Sequence, residues 1–93
     1  MYMFIVYVLK DNKKKLYKGL TNNLKRRLAE HRLGHIHTTS RMKELKLVYQ
    51  EEYDTFGEAR KRELYLKSAA GRKILKKKLN ISPESLNGRA MLL

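Results

Sequence analysis

Residues 3–9, Met3-Phe4-Ile5-Val6-Tyr7-Val8-Leu9, form an unbroken apolar run, β-branched and aromatic, that stops at Lys10-Asp11-Asn12. A run of this length and composition predicts a strand buried on both faces. It is far shorter than the ~20 residues needed to span a bilayer. No basic segment precedes it and no small-residue cleavage site follows, so it does not read as a signal peptide. The expectation is a soluble, intracellular protein.

The rest of the chain supplies partners for that strand. Residues 10–15 are a polar turn with Asp11-Asn12 as its chemistry. Leu16-Tyr17-Lys18-Gly19-Leu20 is a second short strand, and the short connection predicts an antiparallel hairpin. Thr21 and Asn22 are candidate N-caps for a helix ending near Leu33, with Gly34 just past its end. Residues 35–43 are a basic connection without apolar period, and residues 45–53 predict a third strand. Thr55 can cap a second helix over 56–67, and a third follows over 69–79. The expected order is β-β-α-β-α-α, an α+β fold with a small antiparallel three-stranded sheet flanked by helices. Residues 1–80 form the domain and 81–93 a C-terminal tail, in which Met91-Leu92-Leu93 can dock on the body.

With 93 residues the chain is one domain with a modest core. Lysine and arginine total 22 against 9 acidic residues, a net charge of +13, which points first to nucleic acid as partner and second to an anionic membrane surface. Absence of cysteine removes disulfides, thiolate metal sites and thiol nucleophiles together.

Several polar residues fall on faces that should be apolar. At 100° per residue from Leu24, Leu28 lies about 40° away, Arg27 about 60° on the other side and His31 about 20° away. Arg27 and His31 therefore share the apolar stripe, while Lys25 and Arg26 lie outside it. On the second helix Phe56, Ala59, Glu63 and Leu66 follow i, i+3, i+7, i+10. A carboxylate on such a stripe is paired or binds metal. A structural salt bridge from Glu63 to Arg27 or a neighbouring lysine is the plain alternative to a metal site. Tyr7 and Tyr17 sit on the paired strands, and each alone is an ordinary core ring with a bonded hydroxyl. Two tyrosines, an arginine, a histidine and a glutamate converging would be something else. His31, His35 and His37 do not make a convincing zinc cluster, because Gly34 breaks the helix between them and no acidic or thiol ligand is near.

In order and spacing these residues resemble the GIY-YIG nuclease superfamily, most closely its small stand-alone members related to the nuclease domain of the bacterial excision-repair machinery. Its two tripeptides, about ten residues apart, read here Ile5-Val6-Tyr7 and Tyr17-Lys18-Gly19. The helical Asn-Leu-x-x-Arg pattern is Asn23-Leu24-Lys25-Arg26-Arg27, followed by Glu30-His31. Leu47-Val48-Tyr49 matches the third strand, and Glu58-Ala59-Arg60-Lys61-Arg62-Glu63-Leu64-Tyr65-Leu66-Lys67 the next helix. The first tripeptide lacks its glycine, and Lys18 replaces an aliphatic residue. Strand alternation turns Lys18 away from Tyr17.

The resemblance implies Mg²⁺- or Mn²⁺-dependent hydrolysis of DNA phosphodiesters by an endonuclease, structure- or lesion-directed, in repair or recombination. Carried over by position, the catalytic residues are Tyr7, Tyr17, Arg27 and Glu63, with His31 as auxiliary and Glu63 as metal ligand. Tyr7 is the first choice to orient the attacking water, though the sequence does not separate it from Tyr17. Lys15, Lys25, Arg26, Arg60, Arg62 and Lys67 are expected on the DNA-binding surface, in a cytoplasmic, nucleoid-associated protein without a membrane partner. A protein partner that targets it and its oligomeric state are left open. The alternative is a non-catalytic nucleic-acid binding module using the same basic surface.

Overall fold

A computed structural model describes residues 3–79 and the backbone of Met91–Leu92. Strand β1 (Phe4–Lys10) pairs antiparallel with β2 (Leu16–Thr21) on one side and with β3 (Lys46–Tyr53) on the other. This is the expected three-stranded antiparallel sheet. β4 (Met91–Leu92) adds two residues to the free edge of β3, giving the order β2-β1-β3-β4. The uninterrupted apolar run thus occupies a central position with both edges paired, and its second half, Val6–Leu9, is buried on both faces.

Strand alternation divides the core in two. Tyr7 and Leu9 point to one face, where they meet Leu45, Leu47 and the partly buried Tyr17, Leu24 and Leu28. Helix α1 (Leu24–Arg32) covers that face. Val6 and Val8 point to the other, against Val48, Ala59, Leu66 and Leu75. Helices α2 (Phe56–Lys67) and α3 (Ala69–Leu79) cover it.

The helix ends follow local chemistry. Thr55 caps α2, its side chain accepting the Glu58 N–H as expected. At α1 the cap is Asn23 rather than Thr21 or Asn22: its Oδ1 accepts the Arg26 N–H at 3.1 Å. Thr21 is still in β2, opposite Ile5, and its hydroxyl instead accepts the Asn23 N–H at 3.0 Å. Gly34 sits at φ +77°, the left-handed position that follows a helix and suits glycine. The connection to β3 contains a 3₁₀ turn, His37–Thr39. Helices α2 and α3 cross with backbones almost touching at Gly71, where a Cβ would lie 2.6 Å from the Leu66 Cα and would overlap the Tyr65 carbonyl oxygen.

A β-bulge interrupts the β1–β3 register: Leu9 faces Leu47, whereas Val8 faces Tyr49, so Val48 is an extra residue. The insertion changes the phase of β3. Leu47 packs on the α1 side, while Tyr49 and Tyr53 join the core under α2 and α3. Gln50 consequently stands opposite Tyr7 and Glu52 opposite Ile5, both exposed.

Candidate active site

Tyr7 is the centre of the α1 face and is wholly buried. Its register partner in β2 is Gly19, and a Cβ there would lie 2.5 Å from the Tyr7 ring carbon Cζ and from its hydroxyl oxygen. The glycine of the second tripeptide therefore has a steric reason: the tyrosine of the first lies across it. Tyr17, two residues earlier on the same face, is half-buried, with its ring centroid 6.2 Å from that of Tyr7 and 5.0 Å from that of His31.

The Tyr7 hydroxyl and His31 Nε2 are 2.7 Å apart, and His31 Nδ1 and the Thr39 hydroxyl are also 2.7 Å apart. All three residues are buried. Thr39 donates its own proton, over a long 3.5 Å, to the Ile36 carbonyl. That leaves the Thr39 oxygen to accept from Nδ1–H, and assigns Nε2 as acceptor of the Tyr7 O–H. Burial, followed by the positive charge of Arg27 and against the opposing pull of Glu30, lowers the His31 pKa to about 4, so it is neutral at ordinary pH. Burial, followed by neighbouring Tyr17, raises Tyr7 above the ordinary tyrosine value, with Arg27 opposing.

Arg27 stands beside the Tyr7 hydroxyl. Its Nη1 donates to Glu30 Oε1 at 3.1 Å, and its side chain is 35% exposed. Its Nε is buried and has no hydrogen-bond partner among the described residues. An unpartnered guanidinium N–H is costly to bury unless a ligand completes it. Arg26, one residue away, is exposed and reaches Glu30 only at 4.0 Å.

The structure thus joins Tyr7, Tyr17, Arg27 and His31 into one group on the α1 face. Glu63 is elsewhere. It is buried on the α2 stripe between Ala59 and Leu66, both of which pack on the opposite face of the sheet. Its Oε1 accepts from Arg60 at 2.7 Å and its Oε2 from Lys67 at 3.3 Å. The salt-bridge alternative is therefore realised with α2 neighbours rather than with Arg27. Arg62, expected on the DNA surface, forms a two-pronged bond to Glu51 at 2.8 and 3.0 Å. Tyr49 and Tyr53 also donate to that carboxylate. Lys15, Lys25 and Arg26 are exposed and make no short ion pair among the described residues. Lys18 faces the α2–α3 side as alternation required, and burial, then Arg72 and Lys67, lower its pKa.

Sequence reasoning missed Thr39, Gln50 and Glu52. Thr39 lies in a stretch without periodicity, and its role depends on a turn that folds back under His31. The other two reach the α1 face only because of the bulge at Val48.

The family model of the GIY-YIG catalytic domain matches residues 3–80. The chain is 42% identical over 67 residues to a UPF0213 protein of Clostridium perfringens, covering 70% of this chain and 71% of that one. To a UPF0213 protein of Staphylococcus saprophyticus it is 35% identical over 72 residues, covering 76% and 88%. The solution NMR structure of a UPF0213 protein from Bacillus halodurans shares the fold, with a TM-score of 0.58 at 24% identity over 92% of this chain and 94% of that one. The chain belongs to the GIY-YIG family, a family of nucleases that are generally metal-dependent. Its relatives within that family are the small, stand-alone UPF0213 proteins.

A divalent cation is compatible with the donors present, though no cage of three acidic or histidine ligands exists among the described residues. Mg²⁺ needs only one or two carboxylates when water and substrate phosphate complete its shell. Glu63 is a buried carboxylate whose balancing cations, Arg60 and Lys67, are 49% and 47% exposed. Long, half-exposed side chains of this kind can yield to a dication that replaces their two charges. Among the described residues no helix is long and apolar enough to cross a membrane.

Proposed function

We propose that the chain is a DNA endonuclease that hydrolyses phosphodiester bonds in structured or damaged DNA, within cytoplasmic, nucleoid-associated repair or recombination. The observation that carries the reading is the buried, unpartnered Nε of Arg27 beside the Tyr7–His31–Thr39 chain. The exposed part of the guanidinium can meet a phosphoryl oxygen, and its fixed positive charge would favour the transition state over the ground state. Tyr17 is the better tyrosine to orient the attacking water. Its ring is partly exposed, whereas Tyr7 is enclosed, binds its proton tightly and directs it at His31. Tyr7, His31 and Thr39 then hold the face on which Arg27 and Tyr17 work.

Glu63 would hold Mg²⁺ or Mn²⁺, whose Lewis acidity would reach a phosphate at Arg27 only where the substrate bridges the two faces of the sheet. Lys15, Lys25 and Arg26 would meet DNA phosphates directly. Arg60, Arg62 and Lys67 would do so only on leaving Glu63 and Glu51. The engagement of Glu63 by two cations is what favours the second reading, a binding module without catalysis.

The test is nicking of plain, nicked, flapped and branched DNA with Mg²⁺ or Mn²⁺. Arg27→Ala should lower cleavage by about 10²–10³-fold with the fold intact, and Arg26→Ala should weaken binding mildly. Glu63→Gln should abolish metal-dependent cleavage. Glu52→Gln, a carboxylate on the Tyr7 face, should retain it. DNA binding without nicking in any of these substrates would establish the binding module instead. Equal losses in the two arginine variants would overturn the role of Arg27.

A further inference from the structure

The two loops at one end of the sheet enclose a second feature. A cleft of about 570 Å³ lies between the turn joining β1 to β2 and the segment leading from the 3₁₀ turn to β3. Lys13, Lys15, Arg41 and Lys43 line it, and Tyr17 lies in its wall. None of the four cations forms an ion pair among the described residues. Asp11 also lines the cleft, but it is buried and its Oδ1 accepts the backbone N–H groups of Lys13 at 2.9 Å and Lys15 at 2.7 Å. Its charge is spent on shaping the loop.

The cleft is built rather than accidental. Those two Asp11 bonds, with Lys14 held at φ +67°, fix the tight turn that presents Lys13 and Lys15. The Asn12 N–H donates to the Lys43 carbonyl at 2.9 Å and ties the two loops together. Four like charges gathered on braced loops raise the local electrostatic energy unless an anion shares the space. The opening is much larger than a single ion requires and runs to Tyr17. The same 3₁₀ turn that supplies Thr39 to His31 continues directly into the segment bearing Arg41 and Lys43. Cleft and active-site group are therefore neighbours.

We infer that this cleft seats the phosphodiester backbone of a nucleic-acid strand, with Lys13, Lys15, Arg41 and Lys43 on successive phosphates and the strand leading to Tyr17. The inference rests on the nuclease reading for where the strand goes, and on the cleft's own chemistry for what it binds. A basic groove with an aromatic wall suits a single strand as well as one strand of a duplex.

The experiment is fluorescence anisotropy with labelled single-stranded and duplex DNA of matched length, in EDTA, over a salt series. It compares the wild-type protein with two triple variants that each remove three charges. One is Lys13→Ala/Arg41→Ala/Lys43→Ala in the cleft. The other is Lys76→Ala/Lys77→Ala/Lys78→Ala on α3. The cleft variant should bind at least about tenfold more weakly near 100 mM salt. Its log K against log salt should flatten by about 2–3, since each lost phosphate contact removes ~0.7–0.9 from the slope. The α3 variant should change the slope by less than about 1. Preference for single strand or duplex shows which form the cleft takes. Equal behaviour of the two variants, with both folded by circular dichroism, would overturn the inference. Nicking unaffected by the cleft variant would overturn the inference and leave the nuclease reading standing. Cleft-dependent binding by a protein that never nicks would do the reverse.

Discussion

Gly19→Ala tests whether the second tripeptide's glycine exists to make room for the first tripeptide's tyrosine. The new methyl would lie 2.5 Å from Tyr7 Cζ and from its hydroxyl oxygen, and 2.8 Å from Cε1. Carbon atoms in contact sit about 3.5–4.0 Å apart, so three atoms overlap by roughly 1 Å each. The ring has no free space to enter, because Tyr7 is wholly buried and its hydroxyl is held by His31 at 2.7 Å. Overpacking costs about 1–3 kcal/mol. Loss of the Tyr7–His31 bond as the ring tilts adds about 1 kcal/mol. A total of about 2–4 kcal/mol corresponds to a fall in Tm of ~10–25 °C for a domain this small. The decisive control is Tyr7→Leu, which lacks all three offending atoms. In that background Gly19→Ala should cost less than about 1 kcal/mol, a coupling of ~1–3 kcal/mol measured by denaturant unfolding of the four proteins. Equal costs in both backgrounds would show that the glycine serves something other than the ring.

Two further perturbations probe the packing and the buried histidine. Gly71→Ala forces a methyl into the backbone of Tyr65 and Leu66 at the α2–α3 crossing, and should destabilise by about 3 kcal/mol or more. Gly57→Ala in α2 meets nothing within 4 Å and should stabilise by about 0.4–1 kcal/mol; similar melting temperatures for the pair would refute the crossing argument. For His31, a folded pKa of about 4 lies below the unfolded value near 6.5. Between those values the unfolded chain binds the extra proton, so stability falls as pH falls from 6.5 to 4, by up to about 3 kcal/mol. Denaturation curves across that window should slope for the wild type and flatten in His31→Gln, and a flat wild-type profile would sink the assignment.

Much of this architecture is legible in the residues because local and long-range signals agree. The apolar run at 3–9 has one sensible position, the middle of a sheet. Thr55 and the α2 period fix that helix at both ends, and the wheel of α1 already puts Arg27 and His31 beside Leu24 and Leu28. Arg27 and His31 do meet Tyr7 and Tyr17, since hairpin register and helix face are both set locally. Glu63 shows where such reading ends. Its i−3 and i+4 neighbours Arg60 and Lys67 are visible on the same wheel. Which side of the sheet α2 covers is decided by tertiary packing, which a wheel does not contain. The bulge at Val48 is equally hidden, because a single extra residue leaves the composition of β3 unchanged while moving Gln50 and Glu52 to the other face.

The two halves of the core are not held with equal force. Across the sheet from the candidate site, α2 buries Ala59, Glu63 and Leu66 and meets α3 backbone to backbone at Gly71. Helix α1 has nine residues and buries only His31. Local opening follows the weaker packing, so amide exchange should be fastest through α1 while β1 and α2 stay protected. The Tyr7–His31–Thr39 chain is then a latch as well as a polar network: with the packing of Leu24 and Leu28 it fastens the least anchored helix to the sheet. Arg27 rides on that helix, four residues before His31. The two hydrogen bonds of His31 therefore also set where the Arg27 guanidinium stands relative to the sheet.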